Sequence, residues 1–466
     1  MKFVNRKSEL KTLAEIKELS KQKLFTITIW GLRRVGKTRL ILEFMKDEDL
    51  YLFVNKDKTS TGQLNEYVNI LKNKKILNEF ETLNEWEDFF KVLFDRYEGV
   101  VTFDEFQNFL YVDRSLFGTL QKYVDLNENK KNMTLIFSGS TAGLIQKLFL
   151  ESKEPLYGRL KRQIHLRPMS FKHIIKMYDE LDITDIKDII KTYAIFGGYP
   201  RYYVAIEDNN IKDNHFEKCL DIFFFVENAT FEDEVMSILS LEFGKRQGVY
   251  YDILASVASG CTRISEIASA LRKKETDLTR QIYELVHNFN ILNYEKQIVG
   301  NKRVLYIDHP LMAFWFRFFY KNISDYKRRD NRFIKNTKKE INNYIGKRFE
   351  YVCKEFFIDN DKVPFKHHLI GRQWGKFKGH KGKNTYEIDI VALNEDTKDI
   401  LFVECKWKDL SLRQAEDILR KLKEKSEFVD WNLKKRTEYF GIVAKKIEGK
   451  DELRTKGFVV FDLDDF

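Results

Sequence analysis

Proline is scarce in this sequence, at 5 of 466 residues, and no run of glycine, serine and proline marks a linker. Domain boundaries must therefore be read from changes of pattern. Cysteine is rarer still. Cys219, Cys261, Cys353 and Cys405 lie far apart and lack metal-ligand spacing, which excludes a disulfide framework and predicts a reduced, cytoplasmic protein. Long apolar runs are also missing. The densest, from Leu311 to Tyr320, is broken by Arg317 and is shorter than the roughly 18 residues that cross a bilayer. The opening Met-Lys-Phe-Val-Asn-Arg leads into an amphipathic helix rather than a signal peptide. No membrane partner is expected.

What is present is ample core material and a lopsided charge. With 43% hydrophobic residues, 39 Phe and 22 Tyr, the chain can bury about two to four domain cores. The net charge is +10, but residues 301–383 hold 21 Lys or Arg against 8 Asp or Glu, a local +13. Such concentration points to a polyanionic partner, nucleic acid and DNA first, rather than to a merely solvated lysine-rich face.

Strand-like runs at Lys23 to Trp30, Tyr51 to Asn55, Gly99 to Asp104 and Met133 to Ser138 alternate with helical segments. That alternation predicts an α/β parallel sheet covered on both faces. The pattern turns helical from Pro168 to about Asp233. Three helices and two short strands around Gly300-Asn301 follow, in the order of a winged helix-turn-helix. A basic helical stretch and a second α/β segment complete the chain. The expected domains are 1–167, 168–235, 236–310, 311–339 and 340–466.

Gly31-Leu-Arg-Arg-Val-Gly-Lys-Thr38 fits G-x-x-x-x-G-K-[ST] at each fixed position, after an apolar strand and before a helix. The glycines let backbone N–H groups curl around phosphate oxygens at a helix N-terminus. Lys37 can reach the β and γ phosphates, and the Thr38 hydroxyl can ligate Mg²⁺. The nucleotide-contacting set is therefore Gly31, Val35, Gly36, Lys37, Thr38 and Arg39. Val100-Val-Thr-Phe-Asp-Glu105 is an apolar strand ending in two acids. Asp104 would hold Mg²⁺ and Glu105 would act as the general base of hydrolysis.

On these residues the first half resembles ATPases of the AAA+ and STAND class, archaeal-type members with a C-terminal nuclease-like domain above all. The resemblance implies further contacts with ATP. Phe3-Val-Asn-Arg6 looks like the segment beside the adenine, Ser138-Gly-Ser140 like a sensor position, and Gly197-Gly-Tyr-Pro200 like the lid motif. In Leu156-Tyr-Gly-Arg159 an arginine stands where the family has one facing the γ phosphate; whether it acts in cis or in trans is open, as is local pairing. A homo-oligomer is likewise left open.

In the winged-helix segment, Thr276, Thr279 and Arg280 could face DNA while Ile282, Leu285 and Val286 face the core. Base reading would use more Arg, Asn or Gln than that face offers, so packing and DNA contact remain equal alternatives. Further on, Tyr386-Glu-Ile-Asp-Ile-Val-Ala392 and Ile400-Leu-Phe-Val-Glu-Cys-Lys406 alternate like paired strands. Glu404 and Lys406 are two apart and share a face, with Asp389 able to lie beside them. Two carboxylates for Mg²⁺ or Mn²⁺ and a lysine for the attacking water are what metal-assisted phosphodiester hydrolysis requires.

This pattern resembles the PD-(D/E)xK nucleases, with Ile388 in place of the proline. The resemblance implies a helical acid at Glu350 and a helix-opening glutamine at Gln414. Between Gly371 and Lys383, five basic residues, two aromatics and no acid suit a phosphate backbone. The reading is an ATPase coupling nucleotide state to nucleic-acid binding and Mg²⁺-dependent cleavage. The alternatives are an ATP-driven switch or a DNA-binding regulator whose nuclease-like domain does not cut.

Overall fold

Five short apolar segments pair in parallel to form the first sheet of the computed structural model, which describes every residue except 213–214, 245–247 and 378–384. They are β1 (Phe25–Trp30), β2 (Leu50–Phe53), β3 (Gly99–Asp104), β4 (Met133–Gly139) and β5 (Arg162–His165), in the order β2-β3-β4-β1-β5. Side chains alternate between two cores, as period 2 requires. Val100 and Ile136 meet helices Lys7–Leu19 and Lys37–Phe44 on one face, while Val101, Leu135 and Phe137 meet Ser60–Asn73, Trp86–Arg96 and Leu116–Asn127 on the other. The carboxyl ends of β1, β3 and β4 lie side by side, so the loops that leave them converge. That is where doubly covered sheets bind ligands.

Helices from Phe171 to Phe243 form the next layer. After them come helices Gly248–Ala258, Ile264–Leu271 and Glu275–Tyr283, then an antiparallel hairpin of β6 (Leu292–Lys296) and β7 (Arg303–Ile307). Ile282, Leu285 and Val286 are buried, and Thr276, Thr279 and Arg280 are exposed. Arg280 is paired with Glu284 on its own helix at 3.0 Å.

The second sheet is mixed. It contains β8 (Leu369–Lys376), β9 (Thr385–Leu393), β10 (Asp399–Leu410), β11 (Thr437–Ile447) and β12 (Val459–Phe461), in the order β12-β11-β10-β9-β8. β9 runs antiparallel to both β8 and β10, whereas β10, β11 and β12 are parallel. Helix Asn331–Asp359 runs unbroken through residues 339 and 340, where a boundary was expected. Its buried stripe of Thr337, Ile341, Ile345, Phe349, Val352 and Phe356 has helical spacing, so residues 331–359 form one element across that position.

This helix binds the two halves together. Glu355 accepts hydrogen bonds from the Phe171 N–H and the Tyr193 hydroxyl of the helical layer, both at 2.8 Å. Phe356 stacks on Phe466 with centroids 4.1 Å apart, and one apolar core extends from Leu13 to Leu463. The hairpin also touches the second sheet: Ile298 N–H donates to the Arg372 carbonyl at 3.1 Å, and Val299 N–H to Gln373 Oε1 at 2.8 Å. Among the described residues no helix is long and apolar enough to cross a membrane.

Candidate functional site

The loop after β1 is shaped by two glycines. A Cβ on Gly31 would lie 2.3 Å from the Leu166 carbonyl oxygen, and Gly36 has φ 95°, which only glycine adopts without strain. Helix Lys37–Phe44 starts there. Lys37 is 6% exposed, and its Nζ donates to the Gly31 and Leu32 carbonyls at 2.8 and 3.0 Å. Burial pushes its pKa down to about 8, against the pull of Glu105 and Asp104. Thr38 Oγ1 and the Tyr51 hydroxyl both donate to Asp104 Oδ2, at 2.8 and 2.6 Å. Glu105 stands next to Asp104 in a left-handed backbone conformation, φ 57°, and accepts from Ser140 Oγ at 2.7 Å and from Gln107 Nε2.

These groups open onto a cavity of ≈ 510 Å³. Arg6, Arg33, Arg34, Val35, Gly36, Lys37, Thr38, Arg39 and Pro200 line it, with Met1, Phe3, Val4, Met169 and Val204 supplying an apolar end. A lining that combines cations, the start of a helix and apolar side chains suits a nucleoside triphosphate, so the residues fit ATP with Mg²⁺ on Thr38 and Asp104. Arg6 holds the wall in place, donating to the Val35 and Arg167 carbonyls at 3.2 and 2.7 Å.

The second site lies on β9 and β10. Asp389 is buried, and its Oδ2 accepts from the Cys405 N–H at 2.8 Å and from Lys406 Nζ at 3.3 Å. Burial raises its pKa, the nearby Glu404 charge raises it further, and Lys406 opposes both. Glu404 is also buried, which would raise its pKa, but Lys406 and Lys425 at 2.5 Å each outweigh burial and lower it. Glu350, on helix Asn331–Asp359, is raised by burial and then by Asp389. Oxygen atoms of Glu350, Glu387 and Asp389 lie within 4.8 Å of one another, a hard-oxygen donor set that fits Mg²⁺ or Mn²⁺. Arg372 reaches into this group, paired with Glu387, with Glu295 of β6 at 2.8 Å and with Glu350 at 4.0 Å. A cavity of ≈ 870 Å³ contains all of these side chains.

Residues 3–206 match the family described as an ATPase domain predominantly from Archaea. An uncharacterized protein of Methanocaldococcus jannaschii is 30% identical over 475 positions, covering all of both chains. The chain and this relative belong to one family, and residues 3–206 carry an archaeal-type ATPase domain. Residues 315–418 match a second family, described as archaeal and bacterial proteins of unknown function, and that match contains Glu350, Arg372, Glu387, Asp389, Glu404 and Lys406. Among solved structures, a Walker-type ATPase of Pyrococcus abyssi shares the fold at 21% identity and a TM-score of 0.54, over 68% of this chain and 96% of that one. The ORC2 protein of Aeropyrum pernix, in ADPNP–ADP complexes, superposes more loosely, at 13% identity and a TM-score of 0.46, over 69% and 94%.

In this ATPase domain and the layer after it, Arg6, Val35, Gly36, Lys37, Thr38, Arg39 and Pro200 of the expected nucleotide residues line one cavity, Gly31 and Asp104 are hydrogen-bonded to its Lys37 and Thr38, and Ser138 and Arg159 lie elsewhere. Arg159 donates to Asp125 at 3.1 and 3.2 Å and to the Tyr157 carbonyl. Its guanidinium is taken up locally and does not line this cavity, which matches the local pairing that the sequence left open beside a role at the γ phosphate. Ser138 is fully buried inside β4, and it is Ser140 that touches Glu105. Gln414 closes a capping box with Ser411.

Two acids were missed. Glu387 precedes Asp389 by two and shares its strand face, a signal visible in Tyr386-Glu-Ile-Asp389. Glu404, expected as a metal ligand, accepts from Lys406 and Lys425 in this structure, each at 2.5 Å. Glu242 is 9% exposed, neither of its oxygens finds a hydrogen-bond donor among the described residues, and burial pushes its pKa to about 8 against Arg33 and Lys37. It lies on helix Glu234–Phe243, whose Glu234 holds Arg34 at 2.8 Å, and no sequence pattern marked it. Of the lysine-rich loop, residues 378–384 lie outside the described residues.

Proposed function

We propose that the protein hydrolyses ATP at the loop Gly31–Thr38 and uses nucleotide state to control cleavage of nucleic acid at the C-terminal acids. At the first site Lys37 binds the β and γ phosphates and Glu105 accepts a proton from the attacking water, held in orientation by Ser140 and Gln107. Thr38 and Asp104 hold Mg²⁺, which offsets phosphate charge. At the second site Glu350, Glu387 and Asp389 hold a divalent cation that supplies Lewis acidity to a phosphodiester. Lys406, fixed between Asp389 and Glu404, orients water and stabilises developing charge. We assign the three-helix and hairpin unit to a winged helix, the second sheet to a nuclease-like fold, and the boundaries to those expected from sequence, with 311–339 joined to the domain that follows.

The observation that carries the reading is the approach of three carboxylates within 4.8 Å beside a half-buried lysine. Like charges crowd this way at a cost unless a cation joins them. The test is incubation of the protein with single- and double-stranded DNA and RNA, with Mg²⁺ or Mn²⁺, with and without ATP. Cleavage that Asp389→Ala abolishes supports the reading; no cleavage under any of these conditions sinks it. A second reading, an ATP-driven switch without cleavage, is favoured by Arg372, whose guanidinium already neutralises Glu387.

A further inference from the structure

We propose that two cavities between the domains form one path that leads a single strand of nucleic acid to the C-terminal acids; this rests on the cleavage reading above. The first cavity, ≈ 760 Å³, is walled by Leu166–Ser170 of the ATPase domain, the hairpin β6–β7 and helix Asn331–Asp359. The second, ≈ 870 Å³, contains the acids. Tyr306, Arg348 and Tyr351 line both, which makes them the passage between the two.

Three features of this passage select the ligand. Arg348 lines both cavities, and its Nε finds no acceptor among the described residues. An unpaired guanidinium calls for acceptors, and a phosphodiester chain supplies them at regular intervals. The Tyr306 and Tyr351 rings lie 6.2 Å apart, and the Arg348 guanidinium lies 4.6 Å over Tyr351. Aromatic faces interleaved with cations are how proteins hold unpaired bases. Size then favours a strand over a duplex. Each volume falls within the roughly 300–1,000 Å³ of sites for small ligands, room for a few unpaired nucleotides at a time. The hydrogen bonds from Ile298 and Val299 to β8 hold the hairpin against the second sheet.

The test uses the full chain in EDTA, so that nothing is cut, with short fluorescent oligonucleotides followed by anisotropy. The single strand is expected to bind about tenfold tighter than a duplex of the same length. Tyr351→Leu should weaken that binding about fivefold or more and Tyr351→Phe should restore it, as stacking requires; Arg348→Gln should also weaken it. Melting curves identify any variant that fails to fold. Photo-crosslinking of a strand to the parent protein gives an independent answer, with adducts expected at Tyr306 or Tyr351. Equal affinity for duplex, indifference to both substitutions, or adducts confined to other surfaces overturns the path, even where cleavage is observed. Binding that behaves as expected, with no cleavage in Mg²⁺ or Mn²⁺, keeps the path and removes the cleavage reading.

Discussion

Lys37→Met keeps the aliphatic stem and removes the charge. Without nucleotide, the fall of Lys37 from 10.5 to about 8 means that its surroundings disfavour the ammonium by about 3 kcal/mol at most. The substitution relieves that cost and leaves the Gly31 and Leu32 carbonyls without their donor, at roughly 1 kcal/mol each. The two effects nearly cancel, so melting without nucleotide should move by no more than a few degrees. Binding behaves differently. Removing one desolvated cation from a polyphosphate costs roughly 2–5 kcal/mol, about thirtyfold or more in affinity. Calorimetric titration with Mg²⁺–ATP, paired with melting curves, measures both. Equal affinity in parent and variant would refute the reasoning, and so would a collapse of melting temperature with affinity unchanged, since the lysine would then be structural.

Glu105→Gln should keep ATP binding but slow hydrolysis by roughly a hundredfold, as read by phosphate release; an unchanged rate places the base elsewhere. Glu242→Gln tests the buried carboxyl near Arg33 and Lys37. Its folded pKa, about 8, lies above that of the unfolded chain, so it costs nothing below about pH 4 and progressively more up to pH 8. The variant should therefore melt with the parent at acid pH and above it at pH 8; the opposite order means that Glu242 is favourably paired. Glu387→Ala and Asp389→Ala should each abolish the rise in melting temperature that Mg²⁺ or Mn²⁺ confers on the parent, whereas Glu404→Gln should leave it. A parent that shows no such rise has no metal site there.

Much of this was legible because local rules and tertiary structure agree. The loop Gly31–Thr38 is fixed by strand, glycine and helix in sequence, and the acids Asp104 and Glu105 end a strand with no other reason to carry them. The turn at residues 394–399 set the pairing of β9 with β10, and with it the approach of Asp389 to Lys406. What was not legible depends on partners distant in sequence. Arg159 finds Asp125 on helix Leu116–Asn127, and Glu404 finds Lys425 one element later, contacts that neither motif contains. Arg372 joins Glu295, Glu350 and Glu387 from three elements, and Glu242 reaches the phosphate loop from more than 200 positions away. The continuity of helix Asn331–Asp359 was hidden because its first turns are basic and exposed while its later turns are apolar, and composition was read as a boundary.

One chain is proposed to carry two chemically separate sites, linked by nucleotide. The proposal is tested most directly by assaying parent, Lys37→Met and Asp389→Asn side by side, measuring ATP hydrolysis and cleavage of a labelled oligonucleotide in the same Mg²⁺ reactions. The account expects the parent to do both, Lys37→Met to lose hydrolysis together with any ATP dependence of cleavage, and Asp389→Asn to hydrolyse ATP while leaving the oligonucleotide intact. Cleavage by Asp389→Asn at the parent's rate, or a parent that hydrolyses ATP and cuts nothing with or without nucleotide, contradicts it.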